Sequence, residues 1–446
     1  MELVRSQSPP GRLRFLIWNA EAVKFQESFE YGGSQFVPPR IPVGLADAIR
    51  LPTGIARCGD AAELLEQIGL CVSEYINLAP EYVRLVSNFV LCTWFQDFLA
   101  VAAYLWVIGP YTAGKTRLLR LLHALCRRGM MASDISPAAL YMVPSAIMPT
   151  LLIDEFETSS RAGDRDRLRL LRSGSTRDGH VIRGDKVYET FCAKVVVSRQ
   201  EPSDAALASR AIFIPMLPTR KVLPVLDTAA LQQIADRFQP QSMNYRLQHH
   251  SQAVTRNRPQ VAEFTPRMRD LALTLAAPIL GNPRLEAQLF RDLAAQDKEA
   301  KVARHGEPEW IVATAALLDC HRTGGTLTVG SLAFTVSDVL LRNGETYQLL
   351  PRAVGSILRS LGLNPEKLGN QGRGFRLTKQ FIQQVHKLAF ELGIKRADIL
   401  PYATVDAGYA GYSCSFCNEF ELLECDNGEK LRSLPRQKRR RGSLYD

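Results

Sequence analysis

Gly109-Pro110-Tyr111-Thr112-Ala113-Gly114-Lys115-Thr116 is the stretch that decides the fold of this 446-residue chain. It has the spacing of a phosphate-binding P-loop, in which glycines let successive backbone N–H groups turn toward phosphate oxygens. An apolar run over residues 102–108 predicts a buried strand before it, and leucines at helical spacing over 117–128 predict a helix after it. The motif requires this strand–loop–helix context, so we predict a nucleotide site rather than a chance glycine loop.

Leu151-Leu152-Ile153-Asp154-Glu155 supplies the second half of the predicted chemistry. We expect Lys115 to reach the β- and γ-phosphates of ATP, and Thr116 to ligate Mg²⁺ through its hydroxyl. Asp154, at the end of a second apolar strand, would hold the magnesium shell, and Glu155 would polarise the attacking water. Adjacent carboxylates favour hydrolysis over phosphoryl transfer to a small substrate.

Size and charge limit the class of protein. A chain of 446 residues with 46% hydrophobic and 22% charged residues is typical of a globular protein with two or three domains. The formal net charge of +10 favours an anionic macromolecular partner, although many basic proteins bind no nucleic acid. No signal-peptide pattern begins the sequence, and the apolar stretch over 98–108 is too short to cross a bilayer. These features predict a cytoplasmic protein with no membrane span.

Nine cysteines, an odd number lying mostly in apolar segments, favour reduced thiols in the cytoplasm. One cluster stands apart and comprises Cys414, Cys417 and Cys425. A Cys-x-x-Cys pair can bind zinc, but a tetrahedral site needs a fourth ligand, and the nearest histidine in sequence, His386, lies well upstream. Structural zinc and thiols in an irregular tail are therefore both open, and we favour the thiols.

Periodicity and composition divide the chain into five predicted regions. They are an unassigned segment with a strand pair (1–60), an ATPase core with leading helices (61–219), a helical lid or connector (220–308), a compact unit (309–395) and a Cys-containing tail that ends in a basic run (396–446). We expect breaks in the connector at Pro240, Pro259 and Pro283. In the core, predicted strands over 102–108, 150–153, 193–198 and 211–214 alternate with helices, which predicts an α/β fold with a parallel sheet.

Two further positions bear on the kind of P-loop protein. The strand over 194–197 ends in Ser198-Arg199, which would place Ser198 beside the triphosphate on the neighbouring strand. Arg210 precedes the strand over 211–214, where it could meet the γ-phosphate bound by the next subunit of a ring. An arginine supplied in trans stabilises transition-state charge. Arg199 is the main competitor for that role, and a local salt bridge is the alternative for Arg210.

Residues 180–189 predict a hairpin, because two short strands flank a Gly-Asp turn. Arg177, Arg183 and Lys186 would face a phosphate backbone. The alternative is a surface hairpin that only packs on the core. The arginines within 161–172 alternate with aspartates and could equally form a salt-bridged helix face.

The region 309–395 has the pattern of a winged helix. A predicted helix over 351–361 precedes a glycine-containing turn at 370–374, a short strand and a second helix over 379–392. Arg373 and Arg376, at the turn and strand, would contact the DNA backbone. Winged helices also serve as protein-interaction modules, and that alternative remains open.

Several of these motifs together resemble a known family. Residues 93–95, 104–110, 134–140, 150–155 and 171–174 are similar to P-loop ATPases of bacteria and mobile elements, mostly uncharacterised, which are related to the helicase halves of phage and plasmid primase–helicases. The resemblance implies an AAA+-like fold in which Ser198 occupies the position called sensor one. It also places the hairpin where superfamily-three helicases project one into their central channel. Two residues depart from the pattern, since Tyr111 stands where small residues are common and Arg199 where related helicases often have asparagine.

Residues and resemblance together predict an ATPase that uses Mg²⁺ and acts on DNA as a homo-oligomeric ring, in replication or mobile-element maintenance. Two other functions are consistent with the same motifs. One is a nucleotide-controlled loader or regulator that binds a protein partner without unwinding. The other is a DNA-binding module with a vestigial ATP site.

Overall fold

The computed structural model describes residues 2–7, 10–19, 22–39, 41–156, 162–202, 204–255, 261, 264–304, 306–322, 325–343, 345, 347–395 and 417. It divides into two compact units, Met1–Glu299 and Ala300–Asp446. Arg161, Pro259, Cys414, Cys425 and the basic run over 436–441 lie outside the described residues. In the part of the chain that is described, no helix is long and apolar enough to span a membrane.

The strands of the first unit are β1 (Glu2–Gln7), β2 (Pro10–Asn19), β3 (Ala22–Gln26), β4 (Phe29–Tyr31), β5 (Ser34–Phe36), β6 (Tyr104–Ile108), β7 (Gly129–Ala132), β8 (Thr150–Ile153), β9 (His180–Arg183), β10 (Lys186–Glu189), β11 (Lys194–Ser198) and β12 (Ala211–Pro215). Its helices are α1 (Val43–Ala48), α2 (Ala61–Tyr75), α3 (Pro80–Thr93), α4 (Lys115–Leu125), α5 (Ala139–Ile147), α6 (Ala162–Ser173), α7 (Ala205–Ala208), α8 (Thr228–Thr255) and α9 (Pro266–Ala276). Helix α10 (Pro283–Arg304) contains the boundary between the units.

A five-stranded parallel sheet in the order β12-β6-β11-β8-β7 forms the centre of the first unit. Strand β11 lies between β6 and β8, so the carboxyl ends of these three strands share one edge of the sheet. The predicted α/β fold with a parallel sheet is confirmed. The edge strand β7 was not predicted, because its sequence, Gly-Met-Met-Ala, contains no β-branched residue that would indicate a strand.

Both faces of this sheet are buried. Leu105 and Val107 of β6 pack in the cluster that contains the leucines of α4, whereas Tyr104 and Trp106 pack in a second cluster on the opposite face. Parallel strands covered on both sides are apolar at nearly every position. This burial explains why the strands before the P-loop and before Asp154 are uninterrupted apolar runs.

Pro240 does not break the connector, contrary to the prediction, because it lies inside the 28-residue helix α8. A proline inside a helix removes a hydrogen bond and costs about 3 kcal/mol. Contacts around it offset that cost: the side chain of Gln239 donates 2.9 Å hydrogen bonds to the carbonyls of Ala124 and Cys126, and Phe238 is buried. The break predicted at Pro283 is confirmed, since α10 begins there.

A buried ion-pair network ties β1 to the core of the first unit. Glu2 lies 2.7 Å from Arg127 and 3.1 Å from Arg246, and Arg246 lies 2.5 Å from Asp97. Burial alone would raise the pKa of Glu2, but Arg127, Arg128 and Arg246 hold it well below its ordinary value. The N-terminal strand pair predicted from sequence is present as β2 and β3, and β1 pairs with β2.

The second unit contains α11 (Pro308–Arg322), β13 (Thr326–Thr328), α12 (Val329–Arg342), α13 (Pro351–Ser360), β14 (Glu366–Lys367), β15 (Arg373–Arg376) and α14 (Lys379–Glu391). Its strands form an antiparallel sheet in the order β13-β15-β14. The helices predicted over 351–361 and 379–392 are confirmed as α13 and α14. A separate apolar cluster, formed by α11, α12, α13 and α14 with Leu327 and Phe375 of the sheet, is its core.

Candidate nucleotide site and basic surfaces

The P-loop joins β6 to α4 and needs glycine at two positions. A Cβ atom on Gly109 would lie 2.2 Å from the carbonyl oxygen of Met216, so no larger residue fits there. Gly114, immediately before α4, has a φ of 87°, which other residues rarely adopt. Thr112 also has a positive φ, 64°, and this places a strained non-glycine residue in the loop.

The first turn of α4 provides the hydrogen-bond donors of the loop. Leu118 N donates to Gly114 O at 3.0 Å, so the amide groups of Lys115, Thr116 and Arg117 precede the first helical bond. These amides and the partial positive charge of the helix terminus attract anions. The loop therefore offers an arrangement of donors suited to an anion, and the side chain of Thr116 is exposed.

Lys115 lies across the loop. Its Nζ donates hydrogen bonds to the carbonyl oxygens of Gly109 and Pro110 at 2.5 and 2.7 Å. Burial lowers the pKa of Lys115, while the carboxylates of Asp154 and Glu155 act in the opposite direction. The tertiary structure thus places the lysine of the first motif within electrostatic reach of both acids of the second.

Asp154 and Glu155 follow β8 at the same edge of the sheet. Asp154 N donates to Ala132 O at 2.9 Å, and Phe156 N donates to Val197 O at 2.8 Å. These two bonds hold the chain on both sides of Glu155, which takes a φ of 52° and is exposed. A non-glycine residue in the left-handed conformation destabilises the folded state by about 1–2 kcal/mol, so the backbone at Glu155 is strained.

Ser198 ends β11, between the P-loop and Asp154. Its hydroxyl accepts a 2.7 Å hydrogen bond from Trp106 Nε1 and donates to Gln200 O at 2.5 Å. A hydroxyl has one proton to donate, and here the proton is directed at Gln200. To donate to a γ-phosphate, the Ser198 hydroxyl would have to break its hydrogen bond to the carbonyl oxygen of Gln200. Trp106 was not among the predicted site residues, because its apolar context predicted only core packing.

Arg199, the next residue, contacts the tip of the P-loop. Its guanidinium carbon lies 4.0 Å from the ring centroid of Tyr111, whose side chain is 62% exposed. Arg199 therefore lies beside the nucleotide loop of its own chain.

Arg210 lies at the other end of the strands, where β6 and β12 begin. It immediately precedes β12, and Ala211 is in register with Tyr104. At about 3.3 Å per residue, the distance along β6 from Tyr104 to Gly109 is about 17 Å. Arg210 donates to Ser175 Oγ at 3.1 Å and to Ala206 O. Burial, then nearby Arg267, lowers the pKa of Arg210, while Tyr104 and Asp204 act in the opposite direction.

The hairpin predicted over 180–189 is present as β9 and β10. Arg183 pairs directly with Lys186 across a two-residue turn in which Gly184 has a φ of 61°. Arg183 and Lys186 are exposed, and the Arg183 guanidinium lies 5.4 Å from the Tyr141 ring centroid. Arg177 differs from them: its guanidinium donates to Leu99 O and Gln96 O and lies 4.4 Å from the Phe191 ring. The side chain of Arg177 therefore makes contacts within the protein, whereas those of Arg183 and Lys186 face solvent.

Two arginines of helix α6 form ion pairs, as a salt-bridged helix face would, and a third is exposed. Arg167 lies 3.5 Å from Asp134, and Arg172 lies 3.3 Å from Asp204. Arg169, in contrast, is exposed and lines a cleft of about 510 Å³ between α6 and β9. In the second unit, exposed cations occupy α13 and the β14–β15 turn and comprise Arg352, Arg359, Lys367, Arg373 and Arg376.

Comparison with known proteins returns structures only. No family model and no curated protein matches the sequence. The apo C-terminal region of NrS-1 is 14% identical over 78% of this chain and 82% of that one, with a TM-score of 0.36. JCV helicase is 15% identical over 52% and 71%, with a TM-score of 0.21. Cdc6p from Pyrobaculum aerophilum is 16% identical over 68% and 92%, with a TM-score of 0.19. At these scores the likeness supports no inference about function, which rests on the residues themselves.

Proposed function

We propose that this chain is an AAA+-like ATPase that hydrolyses ATP with Mg²⁺ and acts on DNA as a homo-oligomer. One observation carries the proposal: the P-loop, Asp154-Glu155 and Ser198 follow three adjacent parallel strands and meet at one edge of the sheet. Ligands of open parallel sheets bind at the carboxyl ends of the strands. Asp154 and Glu155 act to raise the pKa of Lys115, against the effect of its burial.

The residues at this edge divide the chemistry among them. Lys115 exchanges the carbonyls of Gly109 and Pro110 for phosphate oxygens, and the amides of the first turn of α4 hold those oxygens. Thr116 and Asp154 are the ligands for magnesium, which would supply positive charge beside the phosphates. The backbone amides of Asp154 and Phe156, on either side of Glu155, are hydrogen-bonded to Ala132 and Val197. The Glu155 side chain is exposed, so its carboxylate can orient a water molecule.

Arg210 completes the site of a neighbouring subunit in this proposal. Arg210 lies beside the start of β6, whose length up to Gly109 is about 17 Å by strand geometry, and its side chain is bonded to Ser175 and Ala206, so we assign it to a neighbour's site and not to the phosphates of its own chain. Arg267 lies close enough to Arg210 to add a second cation to this region, which suits a partner's anionic nucleotide. Arg199 is the corresponding candidate in cis, because it lies against Tyr111.

Two basic surfaces are assigned to DNA. The first is the hairpin tip with Arg183 and Lys186, beside the cleft lined by Arg169. The second is the 309–395 region, where the order α11-β13-α12-α13-β14-β15 supports a winged helix with Arg373 and Arg376 at the wing. Exposed cations that neutralise phosphates give salt-dependent, sequence-independent binding.

A second function is favoured by one observation. Ile182 and Val187, on the face of the hairpin opposite Arg183 and Lys186, are 66% and 61% exposed. An apolar pair at a hairpin surface suits a protein partner better than a phosphate backbone. The alternative is therefore a nucleotide-controlled loader or regulator that hydrolyses slowly until that partner binds.

The test is phosphate release from ATP with and without single-stranded DNA, in the full chain and in Lys115→Ala and Glu155→Gln. We expect DNA to stimulate turnover, Lys115→Ala to abolish both ATP binding and turnover, and Glu155→Gln to bind ATP without turning it over. Unchanged turnover in both variants would exclude the mechanism. Slow turnover that DNA does not change would favour the loader, and ATP binding without turnover in the unmodified chain would indicate a vestigial site.

A further inference from the structure

Two histidines and a cysteine meet inside the second unit. His321 lies near the end of α11, His386 lies in α14, and Cys417 belongs to the segment after that helix. His386 Nε2 is 3.1 Å from His321 Nε2, and Cys417 Sγ is 3.6 Å from His321 Nε2. The ligand atoms of all three residues lie within 4.8 Å of one another.

The two separations measured from His321 Nε2 are close to those of atoms around one metal ion. Zinc binds histidine nitrogen at about 2.0–2.1 Å and thiolate sulfur at about 2.3 Å, so tetrahedral angles put two nitrogens about 3.3 Å apart and nitrogen and sulfur about 3.6 Å apart. The observed 3.1 and 3.6 Å agree within a few tenths of an ångström. The same distances also allow hydrogen bonds, so the convergence of three ligand-type side chains on one point is what indicates a metal.

The orientation of His386 is set by the backbone. Its Nδ1 lies 2.7 Å from the carbonyl oxygen of Ile382, one helical turn earlier. A carbonyl only accepts, so Nδ1 carries the proton, and in the neutral ring Nε2 presents its lone pair on the side of His321. Histidines that bind metals are commonly held in this way, with the other ring nitrogen donating to a carbonyl or carboxylate.

We propose that His321, His386 and Cys417 bind one Zn²⁺ ion. A set of two imidazoles and one thiolate, with no oxygen ligand, is unsuited to Mg²⁺ or Ca²⁺ and suits zinc. His386 and Cys417 are buried, at 0% and 2% exposure, which is typical of a structural site closed to substrate. Binding expels the thiol proton of Cys417. The ion would join Cys417 to α11 and α14 by coordination bonds, in addition to the apolar contacts that Cys417 makes in the core of this unit.

The sequence indicates one residue for the fourth ligand position. Cys414 shares Cys-x-x-Cys spacing with Cys417, the arrangement common in structural zinc sites. Cys414 lies outside the described residues, so it enters the experiment as a variant.

The experiment measures the metal content of the purified full chain by mass spectrometry, after expression in zinc-supplemented medium and without a chelator. We expect one zinc per chain. His321→Asn and Cys417→Ser should each lose most of it, and Cys414→Ser should lose zinc to a chelator faster than the unmodified chain. The matched controls are His180→Asn and Cys58→Ser, which change the same residue types in the first unit and should keep the full zinc content.

A second measurement covers variants that fail to fold. Replacing zinc with Co²⁺ in the unmodified chain should produce the visible absorption of a tetrahedral cobalt–thiolate centre. An absence of that absorption, a zinc content far below one per chain, or copper or iron in its place would overturn the proposal. Full zinc retention in both His321→Asn and Cys417→Ser would overturn it as well. ATP turnover tests the nucleotide site separately, so the two proposals can fail independently.

Discussion

The guanidinium of Arg199 lies 4.0 Å from the ring centroid of Tyr111, so the two residues that depart from the pattern of the ATPases that the sequence resembles contact each other. Tyr111 lies in the P-loop, and Arg199 directly follows β11. A cation over an aromatic ring is attracted by the ring's quadrupole and contributes about 0.5–1 kcal/mol at exposed sites. The contact links the P-loop to the strand that carries Ser198.

We predict that Tyr111→Ala and Arg199→Ala each raise the KM for ATP by a similar factor, and that the double variant is no worse than either. An interaction worth about 0.5–1 kcal/mol corresponds to roughly a two- to fivefold change. Tyr111→Phe keeps the ring and should behave as the unmodified chain. Steady-state kinetics on the four proteins and Tyr111→Phe check this, and effects that multiply in the double variant would show that the two residues act separately.

Glu155→Gly should stabilise the protein and abolish turnover. Glycine adopts the φ of 52° at Glu155 without strain, so we expect the free energy of unfolding to rise by about 1 kcal/mol while the carboxylate that orients water is lost. Urea unfolding and phosphate release measure the two effects. Glu155→Ala is the control, because it removes the carboxylate and retains the strain, so it should be inactive and no more stable.

Arg210→Ala and Lys115→Ala should restore each other's activity when mixed. Each is expected to be inactive alone, the first because it cannot complete a neighbour's site and the second because it cannot bind phosphate. In a mixed oligomer, an Arg210→Ala subunit with an intact P-loop can receive the arginine of a Lys115→Ala neighbour. Phosphate release from mixtures at varied ratios, with mass measurement of the oligomer in ATP, tests this. Oligomers that mix and stay inactive would argue against a role in trans.

Arg183→Ala and Lys186→Ala should weaken single-stranded DNA binding and lower its salt dependence, without changing stability. Each lost phosphate contact reduces the slope of log K against log salt by roughly 0.7 for single strands. Arg177→Ala should instead lower the melting temperature and leave DNA binding unchanged, because its guanidinium binds two backbone carbonyls and Phe191. Fluorescence anisotropy at several salt concentrations and thermal melts separate the two classes. A stable Arg177→Ala variant with weakened DNA binding would contradict the assignment.

Glu2→Gln should destabilise the first unit by about 3–5 kcal/mol, because it removes the buried carboxylate that pairs with Arg127 and Arg246 and leaves Arg127 only the longer, 3.7 Å pair with Asp97. The folded pKa of Glu2 lies well below the ordinary value of 4.5. Its contribution is therefore present above that value and is lost as pH falls below it toward the folded pKa. Urea unfolding from pH 7 to 3 should show a shallower decline for Glu2→Gln. Glu27→Gln, which disrupts a more exposed pair with Arg14, should cost less than about 1 kcal/mol.

Much of the core could be predicted because its signals are local. A buried parallel strand is apolar along its length, and a P-loop needs glycines at set spacing, so β6, β8, β11 and the loop between β6 and α4 were all identifiable. Pro240 was misjudged because tertiary hydrogen bonds from the neighbouring Gln239, and the burial of Phe238, outweigh a local preference.

From sequence alone came the nucleotide loop, the acidic pair and the hairpin, since each is a short motif whose chemistry depends on adjacent residues. Only the tertiary structure decided which side chains are hydrogen-bonded within the protein, and which residues far apart in the sequence come into contact. It directs the Ser198 proton to Gln200, places Arg210 at the other end of the strands, and brings Cys417 to His321 and His386. Such contacts join residues far apart in the chain, and no spacing in a single sequence records them.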